Sequence, residues 1–186
     1  NMSTQNRYQY VRNEQNLGFI KTCNRGMAIA SGDVIVLLNS DTVIPTVFEE
    51  RIVACFSSDK NIGFASPLST NSGWFTIERR PNMTLDELQN VVNSCATHKY
   101  PMFTPEGFCF CCRKTAIEQI GCLDEIFGKG YCEEDDLIIR AYYSQIKSVL
   151  IDDLIVQHKR HASFSKSTRE EIFKHNLGIF QDRHED

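Results

Sequence analysis

Four groups of residues in this chain carry side chains able to do chemistry, and each adjoins an apolar run. Asn39-Ser40-Asp41 follows the unbroken stretch Val34-Ile35-Val36-Leu37-Leu38. A carboxylate at the end of a buried strand could hold a hard divalent cation, which takes oxygen ligands from one or two carboxylates and from substrate phosphates. The same residue types also form ordinary turns, so the triplet alone leaves both readings open. Further on, Glu133-Glu134-Asp135-Asp136 crowds four carboxylates beside Gly128, Gly130 and Tyr131. Crowded carboxylates repel one another and have raised pKa values, which suits a general base, although acids also favour the first turn of a helix. Arg140 stands four residues after Asp136 and could pair with it on one helix face. His158 ends the strand-like stretch 147–158 and is followed by Lys159, Arg160, His161 and Ser163, a plausible metal or anion site or a structural histidine. Last, in "NLGFIKTCNRG" the polar Asn16, Lys21, Asn24 and Arg25 accompany Gly18 around a helix start, where phosphate is favoured. That spacing is neither a P-loop nor a Rossmann glycine turn.

The elements that must position these groups alternate between strand and helix, which indicates an α/β fold in one domain over residues 1–186. Strands are expected at 8–13, 33–38, 62–69, 107–114 and 147–158, the last as a pair or as one bent strand. Helices are expected at 20–30, closed by Ser31-Gly32, and at 47–58, 85–96 and 115–121, the last closed by Gly121. A final helix follows a capping box at Ser167/Glu170 or Thr168/Glu171. Unalternating Val, Ile and Leu at 33–38 suit a strand covered on both faces, as in a parallel or mixed sheet.

Composition narrows the function classes. The chain has 186 residues, 41% of them apolar, enough for a real core. A net charge of −4 with no long basic run gives no electrostatic case for nucleic acid or a membrane surface. No apolar stretch is long enough to span a bilayer, and no signal peptide is visible. Three of the eight cysteines, Cys109, Cys111 and Cys112, lie in an apolar strand-like run, so the cysteines read as reduced core residues rather than a zinc knuckle or a disulfide framework. A cytoplasmic protein, or one peripheral at the inner face of the membrane, is therefore expected.

Taken in order, "NLGFIKTCNRG", "LLNSDTVIP", "GFCFCCRKTAIEQIGCLDEIF", "EEDDLIIRA" and "HKRHASF" resemble the motifs of family 2 glycosyltransferases, bacterial rhamnosyltransferase-like members in particular. The likeness runs over roughly residues 13–165. It implies a GT-A-type, Rossmann-like α/β fold with a mixed, mainly parallel sheet flanked by helices. It also implies a nucleotide-diphospho-sugar donor, Mn²⁺ or Mg²⁺, and direct displacement with inversion onto a saccharide or lipid-linked saccharide acceptor, as in polysaccharide or glycoconjugate synthesis. Asn39 and Asp41 would then be the Asp-x-Asp positions, with Asp41 and His158 at the metal. Asn16, Gly18 and Asn24 would join them on the donor side, and Trp74 and Asp136 would lie on the acceptor side. The base would be Asp135 or Glu134: alignment on Asp136-Leu137 selects Glu134, and the Glu-Asp pair selects Asp135. Members of the family open with a strand, loop and helix that help hold the nucleotide base. Nothing before Tyr8 supplies them, so either the domain is truncated by about 60–70 residues, a length typical of the unit concerned, or another chain completes the site. Two rivals remain. A haloacid-dehalogenase-type phosphatase needs a nucleophilic Asp where Asn39 stands, which argues against it. A GT-A module that binds without turnover is the other.

Overall fold

The computed structural model describes residues 9–73, 75–159 and 166–185. Trp74, Arg160, His161 and Ser163 lie outside the described residues.

The apolar runs become five strands: β1 (Val34–Leu38), β2 (Thr42–Val43), β3 (Ile62–Ser69), β4 (Cys109–Arg113) and β5 (Lys147–His158). They form one sheet in the order β1-β4-β3-β5-β2. The pairing β3–β5 is parallel, whereas β1–β4, β3–β4 and β2–β5 are antiparallel. The sheet is mixed as expected, but among the described residues it is not mainly parallel. An unbroken apolar run reports cover on both faces and carries no information about strand direction.

That cover is visible residue by residue in β4. Phe110 and Cys112 face a core shared with helices α1 (Gly18–Ile29), α4 (Lys114–Ile120) and α5 (Glu133–Tyr143). Cys109 and Cys111 face the opposite core, closed by α2 (Phe48–Ser58). Helix α3 (Leu85–Cys95) packs Leu88 and Val92 on Ile155 of β5. Phe64 and Phe110 meet at 5.7 Å between ring centroids, both fully buried. Burying such a ring contributes about 1.5–3 kcal/mol. All eight cysteines are free thiols, five of them buried. Burial pushes the Cys55 and Cys112 thiols up to about 12, so they behave as small hydrophobes. No described helix is long and apolar enough to cross a membrane.

Three local expectations differ from the structure. Residues 9–13 are not a strand, since no described strand lies beside them, and Tyr10 is left exposed. Helix α1 stops at Ile29 with Ala30 already extended, so Ser31-Gly32 follows the helix and does not cap it. Ser167 and Thr168 lie inside helix α6 (Lys166–His184), not at its cap.

β5 is one strand with a bulge. Its pairing jumps from Pro67↔Ile151 to Leu68↔Ile155, setting Asp152 to Leu154 aside. Gln89 satisfies the displaced backbone, donating to the Asp153 carbonyl at 2.7 Å and accepting from Ile155 N–H at 3.0 Å. Bulges re-aim strands, and here the far half of β5 pairs with β2.

Helix α5 is entered through Tyr131 and Cys132, both left-handed (φ 73° and 70°), a conformation uncommon away from glycine. Asn176 of α6 holds this turn by donating to the carbonyls of Phe127, Gly130 and Tyr131. Asp136, fully buried, receives hydrogen bonds from Arg140 Nε at 2.9 Å and His184 Nε2 at 3.0 Å, with Arg183 Nε at 3.3 Å. Arg140 also donates to the carbonyls of Ile120 and Cys122, tying α5 to the end of α4. Glu133 is buried as well, and one of its oxygens has no partner. Desolvation raises its pKa from 4.5 to about 7.

The two buried acids should behave in opposite ways. The raised pKa of Glu133 means that the folded chain binds the proton more tightly than the unfolded chain does. Its stabilising contribution is complete below about pH 4.5 and is lost as pH rises through 7. Glu133→Gln should therefore be more stable than the parent at pH 8, by on the order of 2–3 kcal/mol, and match it near pH 4.5. Asp136→Ala should lose roughly 3 kcal/mol by leaving the half-buried Arg140 and His184 without their shared carboxylate. Thermal melts at both pH values read both effects.

Candidate active site

The segment that follows β1 turns at once. Thr42 donates to the Asn39 carbonyl through its N–H at 3.3 Å and through its hydroxyl at 2.7 Å, closing a tight turn over Ser40 and Asp41. The turn is held at both ends. Asn39 N–H donates to the Phe108 carbonyl at 3.0 Å, and Lys159 N–H donates to the Asp41 carbonyl at 2.9 Å. Turn chemistry and site chemistry thus coincide in Asn39-Ser40-Asp41.

The β2–β5 pairing places Thr42 opposite His158 and brings the His158 ring to Asp41. His158 Nδ1 lies 2.9 Å from the Asn71 carbonyl. A carbonyl can only accept, so Nδ1 carries a proton, and Nε2 faces Asp41 Oδ1, 3.5 Å away. Fixing one imidazole nitrogen on a backbone carbonyl is how proteins orient a metal-ligating histidine. The ring also stacks on Phe108, with centroids 5.3 Å apart and planes 18° apart. An imidazole nitrogen and a carboxylate converging at this distance fit a divalent cation as a two-residue foothold. Among the described residues no cluster of three or more His, Cys, Asp or Glu side chains could hold a metal alone.

The acidic cluster lies on the other side of Glu106-Gly107-Phe108. A Cβ on Gly107 would collide with Glu134 Oε1, so this glycine makes room for that carboxylate. Glu134 is half-buried, and its pKa is raised far above the ordinary glutamate range by desolvation first and then by the charges of Glu133 and Asp135. Asp135 is exposed and lines a cavity of about 470 Å³ with Phe75, Met102, Phe103, Ile138 and Ile146. Desolvation raises its pKa too. Glu106 accepts from Gly73 N–H at 2.9 Å, which anchors the loop after β3 beside the same segment.

Not every residue singled out in the sequence joins this arrangement. Asp136 does not line the cavity with Asp135; it is fully buried in ion pairs with Arg140, Arg183 and His184. Asn24 braces α1 against the turn after α4, donating to the Leu123 carbonyl at 2.8 Å. Asn16 accepts from Gly18 N–H at 2.9 Å, which starts α1. Gly18 itself takes φ 78°. No hydrogen bond described links these three to Asp41 or His158. Sequence reasoning missed Gly107, Phe108 and the Asn71 carbonyl. The first two had a signal, since a glycine and an aromatic directly precede a buried strand.

No curated protein sequence matches the chain. The fold resembles the mannosyltransferase PcManGT from Pyrobaculum calidifontis, solved with GDP-Man and Mn²⁺, with a TM-score of 0.62 at 13% identity over 95% of this chain. It also resembles GalNAc-T7, solved with UDP, GalNAc and Mn²⁺, with a TM-score of 0.61 at 16% identity over 82% of this chain. The likeness spans 46% of the first protein and 32% of the second. At these identities the two structures establish the fold, a GT-A-type mixed α/β architecture. The model of glycosyl transferase family 2 matches residues 2–122, more than half of the sequence, and the chain belongs to that family.

Proposed function

We propose that the chain carries the catalytic site of a metal-assisted glycosyltransferase that moves a sugar from a nucleotide-diphospho-sugar to an acceptor hydroxyl with inversion. The observation that carries this reading is the convergence of His158 Nε2 on Asp41 Oδ1, with Nδ1 committed to the Asn71 carbonyl. Asp41 and His158 would hold the cation. A mixed imidazole–carboxylate pair is softer than the all-oxygen set Mg²⁺ prefers, which favours Mn²⁺. When bound, the cation neutralises charge on the departing diphosphate.

Asp135 supports the base role better than Glu134, because it is exposed and lines the cavity while Glu134 is packed against Gly107. In that role it takes the proton from the acceptor hydroxyl as the oxygen bonds to the anomeric carbon and the bond to the diphosphate breaks on the opposite face. A pKa lifted by desolvation brings the base closer to neutral pH, where general-base catalysis contributes about 10²–10⁴-fold. The family match ends before Glu133, so these carboxylate roles rest on the geometry and the motif likeness.

Calorimetric titration with GDP or UDP in Mn²⁺ tests the donor side. The parent should bind one of them, and Asp41→Ala and His158→Ala should each weaken binding tenfold or more. Absence of metal-dependent binding would overturn the proposal in favour of a module without turnover. Asp135→Asn should leave nucleotide binding intact and lower kcat by about 10²–10⁴-fold. Activity of the parent should rise with pH to a midpoint above the ordinary aspartate range. A larger loss in Glu134→Gln than in Asp135→Asn would move the base to Glu134.

A further inference from the structure

The cavity beside Asp135 is poor in partners for a buried sugar. Its walls are Phe75, Met102, Phe103, Ile138, Tyr142 and Ile146, with Ser148 and Thr104 adding hydroxyls. Phe75 and Phe103 form one side, their rings 5.6 Å apart and tilted by 49°. The Ser148 hydroxyl is already committed, donating to the Phe103 carbonyl at 2.7 Å, and the residue is buried. Polar groups left to a ligand are the Asp135 carboxylate and the hydroxyls of Thr104 and Tyr142. A pyranose sunk here would desolvate more hydroxyls than these can serve, and each buried hydroxyl without a partner weakens binding. Hydrocarbon meets no such penalty, and each methylene buried strengthens binding about fourfold.

Exposure points the same way. Phe75, Met102 and Tyr142 remain 53%, 63% and 70% exposed, an apolar rim around the one charged group. Ligand sites commonly pair mostly apolar walls with a few placed polar groups, and about 470 Å³ lies within their usual range. The segment that supplies Met102 and Phe103 is fixed along β5, with Phe103 N–H donating to the Ser148 carbonyl and Leu150 N–H to that of Pro101, so the wall is firmly built.

We infer that the acceptor carries a hydrocarbon group beside its reacting hydroxyl, as in an alkyl or prenyl glycoside, and that this group lies in the cleft between Phe103 and Ile146. The inference rests on the reading of Asp135 as the base, since that carboxylate fixes where the acceptor hydroxyl stands. The Asp135 end suits the hydroxyl, and the mostly apolar walls suit what is attached to it.

The test is titration of the chain, followed by NMR, with octyl β-D-glucopyranoside below its micellar concentration and with methyl β-D-glucopyranoside. The octyl compound should bind at least tenfold more tightly, and Met102→Asp and Tyr142→Ala should each remove most of that difference. Both side chains are exposed, so these variants keep the fold. Equal binding of the two glycosides, tighter binding of a polar trisaccharide such as maltotriose, or octyl binding insensitive to both substitutions would overturn the inference. Neither metal nor nucleotide is present, so failure here is distinguishable from failure of the donor-site titration.

Discussion

Three residues leading into β4 hold the two halves of the site together. The Phe108 carbonyl receives Asn39 N–H, and the Phe108 ring stacks on His158. Gly107 leaves the space that Glu134 fills, and Glu106 secures the loop at Gly73. What keeps this segment in place is the register of β4 against β1, Leu38 opposite Cys109 through Val34 opposite Arg113. A slip by one residue would send Phe110 and Cys112 into the α2 core and Cys109 and Cys111 into the other. The two hydrophobic cores, with side chains of unequal size on the two faces of one strand, therefore select the register on which the site geometry depends.

The acidic start of α5 illustrates how one charge is neutralised and its neighbours are not. Asp136 has Arg140, Arg183 and His184 around it. Glu133, Glu134 and Asp135 carry raised pKa values, with desolvation the largest cause for each. Such tension persists in a fold only where the surroundings enforce it, and here the strained turn at Tyr131 and Cys132 is clamped by Asn176. Destabilised carboxylates on a firmly held helix end are the electrostatic condition for proton transfer near neutral pH.

Much of this was legible in the sequence. β3 and β5 run over the expected residues, and α2 and α3 differ by one residue at an end. Apolar runs bounded by turn formers and glycines mark such elements without help from tertiary context. Strand direction was not legible, because cover on both faces is compatible with either. The roles of Asp135 and Asp136 were not separable either. Neighbouring positions on a helix differ by about 100° around its axis, enough to send one acid to the cavity and the other into the ion pairs. The carbonyl that orients His158 is main chain, and a backbone acceptor leaves no mark on residue type.

The central claim is that the turn at Asp41, the Phe108 ring and His158 form one cation and diphosphate site. Paramagnetic broadening of backbone amides by Mn²⁺ in the presence of a nucleoside diphosphate tests it most directly. Broadening should be strongest at Asn39 to Thr42, at Phe108 and at His158. Broadening centred instead on the exposed His98 and its buried partner Asp153, or scattered without a maximum at Asp41, would contradict it.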